Sequence, residues 1–203
     1  MRAQKVKTYK TPAFMLLFIF LSVHAADNPP PNFSSHSVNI SSGPFVKNVN
    51  FSKQQNSYSA KWKKLMQNAV LKPVNFSGHY VIYISTKGEL PEECGDDGWV
   101  CGWIIDKLSG KVVSELPTFN GNTKYYSIID YGTPSPDLFD TEFYAKSSML
   151  WIRGQNIPAH GRTGDVRCAN VAYDFKSYLF IKLFSGECEI DGSSVSNADH
   201  NLP

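Results

Sequence analysis

FSGHYVIYISTKGELPEECGDDGWVCGWIIDKLSGKVVSEL, residues 76–116, is the stretch that decides the fold class. Three short runs rich in Val, Ile, Tyr and Trp stand in it, at 79–85, 99–106 and 111–116. Such residues suit a pleated, half-buried surface. Between the last two, Asp106-Lys107-Leu108-Ser109-Gly110-Lys111 reads as a hairpin of the longer-loop kind, with Gly110 free to take a positive φ. Four more runs of the same type follow, at 125–130, 149–153, 167–173 and 178–184, with a turn at Asn120-Gly121-Asn122. Seven short strands in succession predict a mainly β fold: an antiparallel meander, a sandwich or an open barrel.

Upstream the periodicity changes. Trp62, Leu65, Met66, Ala69 and Val70 fall at i, i+3, i+4, i+7 and i+8, which predicts one N-terminal amphipathic helix over 58–71. Ser57 or Ser59 is placed to cap it, and Pro73 stops it, because the residue before a proline avoids the α region. Lys61, Lys63 and Lys64 lie mainly off the stripe, on a solvated face. Residues 26–56 are rich in Asn, Ser and Pro, and Pro29-Pro30-Pro31 favours extended polyproline II. This segment is expected to be a flexible or partly ordered leader, with Val38, Ile40, Phe45, Val46 and Val49 available for a short strand.

The start of the chain carries Arg2, Lys5, Lys7 and Lys10, then an apolar run, AFMLLFIFLSV, then Val23-His24-Ala25. That order is the pattern of a cleavable secretory signal, residues 1–25, and the run is too short for a permanent membrane anchor. The domain organisation follows: signal 1–25, leader 26–56, a single disulfide-bonded β-rich domain over 57–190, and a polar tail over 191–203. The chain of 203 residues has a formal net charge of +2. Removing the four basic residues of the signal brings the balance to about −2, which lacks the basic footprint of a nucleic-acid binder. The expected location is periplasmic or secreted.

Cys94, Cys101, Cys168 and Cys188 are an even set in a chain read as exported, which predicts two disulfides. Three connectivities are open. Pairing neighbours, Cys94 with Cys101 and Cys168 with Cys188, closes the shortest loops, worth about 2.5 and about 3.3 kcal/mol in the chain-entropy model. A zinc site is disfavoured, since no Cys-x2-Cys pair is present. No metal site and no cofactor are expected.

Candidate chemistry is sparse. The chain lacks a Gly-x-Ser-x-Gly elbow, a His-Glu-x-x-His pair and a glycine-rich phosphate loop. His79, at the head of a strand, and His160, in a loop, are the candidate catalytic bases, whereas His36 and His200 lie in segments read as flexible. Aromatic stripes bind sugars or peptidoglycan strands in some domains. In a small β domain they more often fill the core. The most distinctive stretch is 88–101, where Glu89, Glu92, Glu93, Asp96 and Asp97 crowd between Cys94 and the strand that begins at Trp99. A cross-linked acidic loop beside an aromatic suits docking on a cationic protein, since preorganisation lowers the ordering cost and charge raises the encounter rate.

Asn75-Phe76-Ser77-Gly78-His79-Tyr80-Val81-Ile82, a cysteine-bearing turn, Gly102-Trp103-Ile104-Ile105-Asp106 and Ser109-Gly110-Lys111-Val112 together resemble a set of small exported bacterial proteins of unassigned function. The resemblance covers about residues 74–117. It implies an exported Gram-negative domain and carries over no catalytic residues. The long acidic insertion departs from the tighter Cys-turn of that set. The function expected from all of this is a non-enzymatic binding protein, an inhibitor or immunity protein against a cell-wall hydrolase or toxin. The alternative is an envelope hydrolase or carbohydrate-acting enzyme using His79 or His160.

Overall fold

The computed structural model describes residues 29–129, 133–134, 139–159 and 166–188. The signal, the tail from 191 on and His160 lie outside the described residues. Among the described residues there are two α-helices, α1 (Ala60–Val70) and the short α2 (Pro91–Cys94), and two 3-10 turns, Phe33–His36 and Gln55–Ser57. The strands are β1 (Tyr80–Ile84), β2 (Trp99–Val100), β3 (Gly102–Asp106), β4 (Val112–Glu115), β5 (Tyr125–Tyr126), β6 (Ile128–Ile129), β7 (Thr133–Pro134), β8 (Asp140–Phe143), β9 (Met149–Gln155), β10 (Cys168–Lys176) and β11 (Leu179–Ser185). The fold is mainly β. A three-stranded antiparallel sheet, order β1-β3-β4, faces a four-stranded one, order β11-β10-β9-β8, and two short two-stranded ribbons complete it. Among the described residues no helix is long and apolar enough to cross a membrane.

The three-stranded sheet is the middle of three layers. Val81, Trp103 and Ile105 point to α1, where Trp62, Met66, Ala69 and Val70 close one core. Tyr80, Ile82 and Ile104 point the other way, into a core shared with Leu150, Ile152, Val171 and Phe175 of the four-stranded sheet. This two-sided burial is why β3 has no polar alternation: all five of its residues, GWIID, are buried. Its Gly102 has its own reason, since a Cβ there would stand 2.8 Å from the Tyr83 carbonyl oxygen.

Helix α1 forms where its stripe predicts. Ser59 Oγ accepts the Trp62 N–H at 3.0 Å, satisfying one of the free donors of the first turn. At the other end the buried Lys107 ammonium donates to the Val70 carbonyl at 2.8 Å and to the Lys72 carbonyl. A cation there complements the negative end of the helix. Burial pushes the Lys107 pKa below its ordinary value.

The two sheets are joined along one flank and separate along the other. On the joined flank, Ser77 N–H donates to the Ser147 carbonyl at 3.1 Å and Gly78 N–H to Ala145 at 2.8 Å. The leader, from Pro29 on, is laid along this body. Val38 N–H donates to Lys146 (2.8 Å), Ser41 to Gly78 (2.8 Å), Val46 to Lys107 (3.0 Å) and Asn50 to Gly110 (2.8 Å). Two of those acceptors are glycines at positive φ, +80° and +74°, where a Cβ would sit 2.5 Å from a leader carbonyl oxygen. Gln67, on the polar side of α1, clamps it further, accepting from Val49 N–H at 3.0 Å and donating to the Lys47 carbonyl at 2.7 Å. The leader's order rests on backbone pairing, which irregular apolar spacing does not advertise.

Two differences from the expected strands have simple causes. The 125–130 run is split into β5 and β6, because β5 turns aside to pair with β2, Trp99 opposite Tyr126. The β8 strand, DTEF, carries little apolar pattern and pairs at the sheet edge beside β9.

Candidate functional site

The acidic stretch is built as a short strap between β1 and β3. Pro91 opens α2 with Glu92 and Glu93 in the first turn, where a carboxylate and a preset φ are both favourable. Gly95 ends it in the left-handed region, φ +100°, and the Trp99 ring lies so close that a Cβ on Gly95 would be 2.8 Å from it. Cys94 and Cys101 are joined, as are Cys168 and Cys188, which is the neighbour pairing expected. The first bridge is buried against Ser85, whose Oγ accepts the Cys101 N–H at 3.1 Å.

The five acids do different work. Glu89 turns back, its Oε2 accepting from Thr86 N–H at 2.8 Å and from the Thr86 hydroxyl at 3.2 Å. Burial opposes its charge, but the Thr86 donors, with the nearby Tyr83 phenol and Lys61, outweigh it and hold Glu89 below the usual carboxylate value. The Tyr83 hydroxyl acts here by proximity, since it makes no hydrogen bond of good geometry. Glu93 turns inward too: Oε1 accepts the Ser59 N–H at 2.8 Å, at the start of α1, and Oε2 is buried without a partner. These two acids therefore shape the strap. Glu92, Asp96 and Asp97 stay exposed. Asp96 also accepts the Gly98 N–H at 2.8 Å, which fixes the tip. Trp99 stands edge-on to Tyr126, ring centres 6.2 Å apart, and Tyr126 is a neighbour the sequence reading did not name. Lys124 lies beside Gly95 and tempers the field of the strap.

His79 and Asp106 come together, Nε2 to Oδ1 at 3.8 Å, with the imidazole tilted against the Tyr80 ring, centres 4.0 Å apart. Asp106 is already engaged by Leu108 N–H at 2.9 Å and the Ser109 hydroxyl at 2.6 Å, so it serves the β3–β4 turn first. His36, in a segment whose composition predicts flexibility, sits in a denser polar cluster. Asp174, 2% exposed, receives the Ser148 hydroxyl at 2.5 Å, Lys176 Nζ at 2.6 Å and His36 Nδ1 at 3.5 Å. The carboxylate is in the middle and the serine donates to it. A nucleophilic triad needs the imidazole between serine and acid. The cluster instead fastens the leader, since Ser148 N–H also donates to the His36 carbonyl at 2.9 Å. Burial raises Asp174, but Lys176, Ser148 and His36 outweigh it and hold its pKa below the ordinary value. The sequence signal for this cluster was an aspartate inside an otherwise apolar strand, VAYDF.

Among the described residues no group of three or more His, Cys, Asp and Glu side chains is arranged to hold a metal ion. No family model, curated protein or solved structure matches the chain. The chemistry of the site has to be read from its own residues.

Proposed function

We propose that the protein is an exported, non-enzymatic binding protein that docks a cationic protein through the Cys94–Cys101 strap, in the manner of an inhibitor or immunity protein against a cell-wall hydrolase or toxin. Its two disulfides belong to an oxidising, extracytoplasmic environment. The reading rests on one observation. The strap is held from beneath by a buried bridge, Glu89 and Glu93, and leaves Glu92, Asp96 and Asp97 exposed beside Trp99 and Tyr126. A surface so fixed loses little conformational freedom on binding, and its charge steers a basic partner. The partner-facing set is thus Glu92, Asp96, Asp97, Trp99 and Tyr126, with Glu89 and Glu93 as supports.

The test is capture from periplasmic extract by the mature protein, at low and at high salt. A specific basic protein should be retained at low salt, and a Glu92→Lys/Asp96→Lys chain should lose it by tenfold or more. No retained partner, or equal retention by the charge-reversed chain, defeats the proposal. The hydrolase alternative draws on the His79–Asp106 contact, and a His79→Ala chain with undiminished biological effect would remove that support.

A further inference from the structure

The four-stranded sheet ends at β11, and the backbone there is open on its outer side. Along an antiparallel strand, successive residues turn their N–H and C=O groups to alternate neighbours. In β10, Phe175 N–H donates to the Ser148 carbonyl at 2.9 Å, on the β9 side, and Asn170 accepts from Gly186 N–H at 2.8 Å, on the β11 side. Asp174 and Lys176 therefore face β11, and their register partners Ile181 and Leu179 face back to β10. That leaves Phe180 and Lys182 with their backbone groups turned outward, and neither finds a backbone partner there among the described residues. Such groups are a template for another strand.

The side chains suit a copy of the same strand. Leu179 and Ile181 stand exposed on the face opposite the core, and Leu183, the extra residue at the register shift between Ala172 and Tyr173, is exposed too. A two-fold axis makes an interface self-complementary. An axis at Ile181 sets Ile181 against itself, Leu179 against Leu183, and Phe180 against Lys182 of the second copy. Each exposed apolar side chain then meets another. Phe180 and Lys182, the residues whose backbone groups point outward, exchange both hydrogen bonds, and the Lys182 ammonium can rest on the Phe180 ring. An axis at Lys182 instead sets two ammonium groups directly opposite, which is destabilising. Lys182 thus selects the register. The other end of the sheet is blunted, because β8 is short and carries Asp140 and Glu142. With one usable edge per chain, association closes at two copies and does not run on into a fibre.

We propose that two copies of this chain pair through β11, joining their four-stranded sheets edge to edge about an axis at Ile181. The contact uses no residue of the acidic strap and does not depend on its role. One strand makes less contact than the roughly 1,600 Å² of a standard interface, so the dissociation constant should be on the order of 100 µM, and the chain is a monomer at the micromolar concentrations of an unfolding titration.

The experiment is sedimentation equilibrium of the mature, disulfide-bonded protein from about 10 µM to about 1 mM, with amide hydrogen exchange read at both ends of that range. Monomer should give way to dimer and to nothing larger. The Phe180 and Lys182 amides should slow about fourfold across the range, while Leu179 and Ile181, already bonded to β10, keep their rates. Ile181→Lys sets like charges across the axis at an exposed position and should weaken association about tenfold or more. Lys182→Pro removes an outward N–H and leaves the β10 ladder whole, which gives a second reading if Ile181→Lys fails to fold. The Glu92→Lys/Asp96→Lys chain should pair as the parent does. A chain still monomeric at about 1 mM, protection centred on other amides, or undiminished association in both edge variants would each overturn the proposal. So would protection of Phe180 and Lys182 that appears only when a Val-Thr-Val-Thr peptide is added, which would make the edge a peptide site.

Discussion

Strands β3 and β11 are about equally apolar, GWIID against LFIKLFS, yet they live in different surroundings. Every residue of β3 is buried, between α1 on one side and the four-stranded sheet on the other. β11 is an edge strand of the outer sheet, and Leu179, Ile181 and Leu183 are 67%, 52% and 38% exposed. Phe180 packs inward from the same strand, against Phe175 and Tyr173. Composition alone does not say how many layers cover a strand. That is set by its place in the sheet order, and it decides what each side chain contributes.

The largest test of this contrast is truncation in the doubly covered half. Trp62→Ala removes a fully buried ring that meets Trp103 and Tyr58 edge-on, and should cost about 3–5 kcal/mol in urea unfolding. A loss below about 1 kcal/mol would mean the helix layer is not a true part of the core.

The disulfides sharpen the comparison from the other direction. Cys168–Cys188 ties the start of β10 to the segment after β11, in the more exposed half, whereas Cys94–Cys101 lies beneath the strap. Replacing the first pair by serine should cost about 3.3 kcal/mol, and the second about 2.5, because the outer bridge closes the longer loop. The reverse order would show that burial of the Cys94–Cys101 bridge outweighs loop length.

Asp174 supplies a pH test confined to the outer sheet. Its folded pKa is lowered, so its contribution is present above the unfolded value of about 3.9 and is lost as pH falls through the lower folded value. Acid unfolding below about pH 4 should therefore be less steep in Asp174→Asn, whose stability at neutral pH is reduced by roughly 1–3 kcal/mol. Identical acid limbs for variant and parent would count against the cluster.

The smallest effect is expected on the open face of β11. Ile181→Ser should change stability by about 0.5 kcal/mol or less, since exposed substitutions away from special features seldom do more. A larger loss, measured by the same urea titration, would mean that this face is covered in solution.

Several features were legible without the structure, each for a local reason. The stripe from Trp62 to Val70 and the stop at Pro73 depend on helical spacing alone. The bridge partners depend on loop closure between neighbours. Gly110 depends on a turn that needs positive φ. Less legible were β8, whose DTEF has Phe143 as its one apolar residue, and the leader, whose order comes from backbone pairing with Gly78 and Gly110. The acidic strap was visible as a charged run, but nothing in its spacing separates Glu93, which caps α1, from Glu92, which faces water.

The sequence by itself determined the β-rich class and one amphipathic helix, and favoured the neighbour pairing of the cysteines among three, because each follows from residues close together along the chain. The tertiary structure alone decided that β3 lies between two layers, that Asp174 joins His36 and Ser148, and that β11 is left at an open edge. Those facts depend on which strand edges meet and which stay apart. Distant segments settle that by burying surface together, and short-range pattern holds no record of it.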